Sequence, residues 1–131
     1  MIEEFRIKTS SRTEMINIDR YVADIVRKSG VGEGVCTVFI PHTTAGITIN
    51  ENADPDVPRD IIAELNKNIP FDDDYRHIEG NSAAHIKASL TGSSATVFVR
   101  NGKLLLGTWQ SLFFCEFDGP RSRKVVVRIA P

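Results

Sequence analysis

Apolar and polar positions alternate from Glu3 to Thr9, where Phe5 and Ile7 oppose Arg6 and Lys8. That period of two predicts a strand with one wet face. A polar turn at Ser10 to Thr13 and a second alternation over Glu14 to Ile18 predict a hairpin partner. The period then changes: Ile18, Tyr21, Val22, Ile25 and Val26 fall on one helical stripe, so a helix begins at Asp19. Arg27 and Lys28 suit its last turn, and Gly30 suits a left-handed cap. Val35 to Ile40 is a dense apolar strand, suited to burial on both faces, which delivers His42 to its end. After a bend at Thr43 to Ala45, Gly46 to Asn50 reads as a further extended segment.

Asp54 as N-cap and Pro55 at the first helical position start a second helix, with Val57, Ile61, Ile62 and Leu65 inward and an end before Pro70. Phe71 to Arg76 reads as an exposed acidic loop; Asn81 or Ser82 caps a short helix through Leu90. The remainder is β: Ala95 to Val99, a type I′ turn at Asn101-Gly102, Lys103 to Leu106, then Trp109 to Phe117 and Lys124 to Ile129 around a turn at Asp118 to Pro120. The expectation is an α+β fold in a single domain over residues 1–131. It has about three helices and seven or eight mostly hairpin-connected strands, in a largely antiparallel sheet curled or doubled into a sandwich.

Composition narrows the function classes. With 131 residues, 41% apolar and 25% charged, the chain can bury a core without disulfide or metal support. A net charge of -1 supplies no field for nucleic acid or an anionic membrane. The basic cluster Arg121, Arg123, Lys124 and Arg128 is divided between two faces by strand alternation. Cys36 and Cys115 lie far apart in apolar runs and read as buried free thiols. The opening MIEEFRIK lacks a signal-peptide core, and no apolar run reaches membrane-spanning length, so the expected location is cytoplasmic.

Candidate chemistry concentrates in two stretches, PHTTAGITINENADPD from Pro41 to Asp56 and YRHIEGNSAAHIKAS from Tyr75 to Ser89, expected to form two walls of one polar pocket. They hold all three histidines: His42, His77 and His85. Three neutral imidazoles from separate elements can hold a divalent metal with one position open. Their spacing matches no compact ligand pattern, so from spacing alone hydrogen-bonded structural histidines are the favoured reading. Glu51, beside Asn50 and Asn52, suits a general base or a partner to a histidine, whereas Asp54 and Asp56 have capping and helix-dipole roles open to them. Lys87 lies about half a turn from His85 and needs another element or subunit to join its site. Glycines 30, 32 and 34 follow a helix, the wrong order for a dinucleotide loop, and Thr108 stands where a phosphate loop needs lysine.

The segments HTTAGITINENADPDV, YRHIEGNSAAHIKASLTGSS and GKLLLGTWQSLFFCEFDGPRSRKVVV resemble the YjbQ-like family, also called the secondary thiamine-phosphate synthase family. The resemblance implies a small α+β homotrimer with a cleft near the subunit boundary and a histidine-centred site for a divalent metal, zinc foremost. It also implies a weak, secondary thiamine-phosphate synthase activity. On the matching positions it makes His42, His77 and His85 metal ligands, and Glu51, Asp54, Glu79 and Lys87 candidate catalytic groups. Thr43, Thr44, Asn50, Asn81, Ser89, Gln110 and Arg121 become candidates for holding a small phosphorylated substrate. Ala83 stands where relatives carry a further histidine, so a four-histidine site is excluded. Metal-assisted hydrolysis or a lyase reaction fits the same residues. The alternatives are a non-catalytic module binding a phosphorylated or carboxylated metabolite, and an oligomer whose polar residues only join subunits.

Overall fold

The structure, a computed structural model, describes residues 1–131. Its elements are β1 (Ile2–Lys8), β2 (Glu14–Asn17), α1 (Asp19–Ser29), β3 (Gly34–Phe39), β4 (Ala45–Glu51), α2 (Asp56–Asn68), α3 (Ser82–Thr91), β5 (Ser94–Arg100), β6 (Lys103–Leu104), β7 (Gln110–Glu116) and β8 (Ser122–Ala130). The strands form two antiparallel sheets, ordered β1-β8-β3-β5-β6 and β2-β7-β4. Apolar side chains from the facing surfaces of both sheets and from α1 make one core, with Val38, Ile47, Phe114 and Val127 nearly inaccessible. Both faces of the three-stranded sheet are therefore used. Its other face carries Phe113, Cys115 and Phe117 under Leu65 of α2 and Ala84 and Ala88 of α3.

The expected α+β sandwich is present, but hairpins do not dominate it. Only β5 and β6 are both adjacent in sequence and paired, across Asn101 and Gly102, which hold the positive φ that a type I′ turn demands. β1 and β2, expected to pair with each other, belong to different sheets, β1 on β8 and β2 on β7. The polar turn between them changes sheets instead of reversing within one. The segment after β7 does the same, carrying the chain to β8. β3 also departs from expectation: Cys36 and Val38 are buried, whereas Phe39 is 43% exposed, because nothing within the chain covers the outer face of the larger sheet.

Helix boundaries follow the capping chemistry. Gly30 closes α1 in the left-handed conformation. Asp54 Oδ1 accepts the Asp56 N–H at the start of α2, as its capping role predicts, at 2.9 Å. α3 lies directly on β4, and Gly46 permits this: a Cβ there would collide with Thr91 Oγ1 and the Gly92 carbonyl. That contact fixes where α3 presents His85.

A histidine-lined trough as candidate functional site

Three open depressions join along one end of the molecule. The first, about 510 Å³, lies between the bend before β4 and the last turns of α3, with His42, Thr43, His85, Ser89 and Ser93 on its walls. The second, about 550 Å³, shares His42, Thr43 and Ser93 with it and extends to Arg121 and Arg123. The third, about 440 Å³, shares His85 and adds Tyr75, Arg76 and His77. No carboxylate lines any of the three. The trough thus presents imidazoles, hydroxyls and guanidinium groups, with no carboxylate on its lining.

Beneath its second section lies a buried ion pair. Arg123 is 2% exposed and Glu116 fully buried. The Arg123 Nε donates to both Glu116 oxygens at 2.9 and 3.1 Å, and its terminal nitrogen bonds Glu116 and, at 2.9 Å, Thr44 Oγ1. Thr9 Oγ1 donates to Glu116 at 2.7 Å, and the Asp118 N–H completes the carboxylate's partners. Burial pushes the Glu116 carboxyl upward, but hydrogen bonds from Arg123, Thr9 and the Asp118 N–H outweigh it and hold the group below its ordinary value. The pair is electrically closed, so Arg123 braces the trough floor and Arg121 is its freer cation. Arg121 itself is steadied by the carbonyl and carboxylate of Asp118.

His42 takes a defined tautomer. Its Nε2 accepts the Lys124 backbone N–H at 2.8 Å, so a neutral ring carries its proton on Nδ1. Burial first, and the Arg123 charge second, lower its pKa and favour that neutral form. The lone pair a metal would need is already committed to the backbone.

The expected ligand set is therefore not assembled within one chain. His77 and His85 lie edge to face with ring centroids 5.5 Å apart, and His42 shares the trough with His85. Yet no three side chains of histidine, cysteine, aspartate or glutamate are placed to hold one metal ion. The residues of a single chain do not supply the three-histidine centre.

Of the other predicted residues, Thr43, Ser89 and Arg121 line the trough; Thr44 does too, although its hydroxyl accepts from Arg123. Asn81 heads α3 beside it, its Nδ2 donating to Asp118 at 3.1 Å while its Oδ1 is buried without a partner. Asn50 and Glu51 fall away from it. β4 spans Ala45–Glu51, six steps of about 3.3 Å, so its ends stand roughly 20 Å apart. Glu51 pairs with Gln110 at the far end, and Asp54 follows still further along the chain. Gln110 is occupied in its own turn, accepting the Gly107 N–H at 2.8 Å. Glu79 is exposed and outside the trough's lining.

Lys87 points the other way. It is fully buried, donates to Asn66 Oδ1 of α2 at 2.6 Å and lies 4.1 Å above the Phe71 ring, whose other cationic neighbour is Arg12. Two positions along a helix turn a side chain through about 200°, which is why His85 and Lys87 serve opposite sides of α3. Glu116, Arg123 and Ser93 were not singled out by sequence reasoning. Parity offered the signal: Arg123 falls in register with Val125, Val127 and Ile129, the buried set of β8, and a cation there requires an acid.

The family pattern described as UPF0047 protein YjbQ-like matches residues 3–131. A UPF0047 protein of Methanocaldococcus jannaschii is 51% identical over 129 residues, 98% of this chain and 94% of its own. The UPF0047 protein YugU of Bacillus subtilis is 48% identical over 130 residues, 98% of each. Among solved structures, an uncharacterized conserved protein of the YjbQ/UPF0047 family from Clostridium acetobutylicum superposes with a TM-score of 0.96 at 58% identity, covering 98% of this chain and 99% of that one. A protein of unknown function from Sulfolobus solfataricus gives 0.94 at 34% identity, with coverage of 98% and 95%.

Proposed function

This chain belongs to the YjbQ-like UPF0047 family, and from that premise we propose that it binds a small phosphorylated metabolite in the histidine trough and transforms it. One observation carries the reading: the trough offers cationic and neutral donors and no carboxylate. An anionic group gains charge-assisted hydrogen bonds there, sharing Arg121 with Asp118. Arg121, the Nδ1–H of His42 and the hydroxyls of Thr43 and Ser93 receive the phosphate oxygens.

Thiamine-phosphate synthesis, as a weak and secondary reaction, is compatible with such a site. A carbon–oxygen bond to a pyrimidine-methyl diphosphate breaks, pyrophosphate departs with the bonding pair, and the thiazole nitrogen forms the new carbon–nitrogen bond. That nitrogen attacks through its lone pair and has no proton to lose, so the chemistry needs no carboxylate base. It needs stabilisation of the charge growing on the leaving group, which preorganised donors provide. Glu51 and Lys87, outside the trough, have no part in it.

The test is pyrophosphate binding by calorimetry, followed by turnover of the two thiamine precursors. Arg121→Ala and Thr43→Val each weaken pyrophosphate about tenfold on this reading, the loss expected for one charged or shared contact. Turnover falls with them, while Glu51→Gln leaves both intact. Saturable binding without product favours the non-catalytic module, and absence of binding to wild-type protein ends the reading.

A second reading keeps the metal. The adjacency of His77 and His85 supplies two imidazoles, and a third ligand would come from a second copy of the chain. Zinc held there would add positive charge for the phosphate. Metal analysis of purified protein decides it: content unchanged by His77→Ala and His85→Ala rules it out.

A further inference from the structure

A small pocket, more enclosed than any section of the trough, lies away from it under α2. It measures about 190 Å³ and is walled by Ile61 and Leu65 of α2 and by Met15 and Phe117 of the sheet side, with Thr48 and Asn50 of β4 also on its lining. No charged residue lines it. α2 contributes not one fully buried residue; it touches β2 and sets half-buried Leu65 over Phe113, Cys115 and Phe117. An unfilled apolar gap costs stability in proportion to its volume, and little in the packing of α2 holds it off the sheet. The gap persists between a loosely seated helix and a rigid floor.

Asn50 is exposed: its Oδ1 accepts the Glu51 N–H at 2.8 Å, which leaves the Nδ2 hydrogens to solvent or a ligand, and the half-buried Thr48 hydroxyl has no protein partner. Two donors without a protein partner on the wall of a mostly apolar pocket are the features that orient a small ligand. An aliphatic and aromatic cavity of ~150 Å³ is large enough for one benzene ring, so this one has room for a ring with a short substituent.

We infer that the space between α2 and the three-stranded sheet is a second binding site, for a small uncharged molecule with an apolar ring and a hydrogen-bond acceptor directed at Thr48 and Asn50. α2, lying between Pro55 and Pro70, is the wall that yields on entry. Cys115 lies on the floor, its thiol pushed up to about 12 by burial; it is inert packing in this site and not a nucleophile.

The experiment compares two probes of similar shape, acetophenone, which carries an acceptor, and ethylbenzene, which does not, titrated into the whole protein and followed by amide NMR shifts. Saturable shifts at Leu65, Cys115 and Phe117 are expected for both, with acetophenone tighter. Thr48→Val, a change of nearly equal size, weakens acetophenone by about three- to tenfold and leaves ethylbenzene unchanged. Ile61→Phe fills the space and removes both, in protein whose circular dichroism matches wild type. The inference is overturned if wild-type protein gives no saturable shift with either probe. It is equally overturned if Thr48→Val affects both probes alike, or if correctly folded Ile61→Phe binds as wild type does.

Discussion

Arg123 and Lys87 are both buried cations, and their partners make them opposite cases. Arg123 is matched by Glu116 with several hydrogen bonds, so Arg123→Met strands a buried carboxylate and should cost about 3–5 kcal/mol. Urea unfolding measures it. Lys87 has a neutral amide and an aromatic face in place of an acid. Burial first, and the Arg12 charge second, lower its pKa. Lys87→Met exchanges a poorly solvated amine for an apolar chain of similar length, and stability should stay within about 1 kcal/mol of wild type or rise. Pyrophosphate binding should be unaffected.

The pH dependence divides along the same lines. Glu116 has a depressed folded value, so its contribution is present above the unfolded carboxylate value of about 4.3 and is lost as pH falls through the folded value. For His42 the folded value lies below 6.5; the unfolded chain takes up its proton first, and stability falls as pH drops below about 6.5. Histidine NMR titration should find the His42 midpoint under that value. A midpoint at or above it would mean that burial and the Arg123 charge do not hold the ring neutral.

At the level of elements, the seat of α3 on β4 controls the site. Gly46 has no room for a methyl group beside Thr91 and Gly92, so Gly46→Ala must push the C-terminal turn of α3 outward. The expected loss is about 1–3 kcal/mol, read from thermal unfolding, with faster amide exchange confined to the end of α3. Pyrophosphate binding should weaken as well, because that turn carries Ser89 and leads into Ser93 at the trough wall. The two prospective binding regions flank α3. His85 faces the trough, whereas Thr91 lines the cavity under α2.

For the whole molecule, the bare outer face of the larger sheet is the outstanding feature. Phe39 and Phe98 are 43% and 62% exposed on neighbouring strands, Phe98 opposite half-buried Val35 and Phe39 opposite half-buried Val126, with Thr37 and Thr96 between the two rings. Large aromatic side chains left exposed on one open sheet face suit an interaction surface, and we expect other copies of the chain to cover it in a homotrimer. Sedimentation should give three times the 14.6 kDa chain mass. Phe98→Glu, which places charge in the patch without touching the core, should yield monomers that remain folded. A wild-type monomer would refute the assignment. No helix is long and apolar enough to cross a membrane.

The alternation of β1, the stripe of α1, the Asp54 and Gly30 caps and the Asn101-Gly102 turn all depend on neighbours a few positions apart, and all were legible in the sequence. So was the family, because whole motifs such as HIKASL and LLLGTWQ carry it. Sheet partnership was not legible: the β1–β2 turn and a hairpin turn share the same polar residues, and only the register against β7 and β8 distinguishes them. The site divided for a similar reason. Glu51 is near His42 in sequence, but an extended strand turns nine positions into a long distance, whereas Arg123, eighty-one positions from His42, reaches the same wall through strand pairing. Local periodicity determined what each segment is; long-range packing decided which side chains meet.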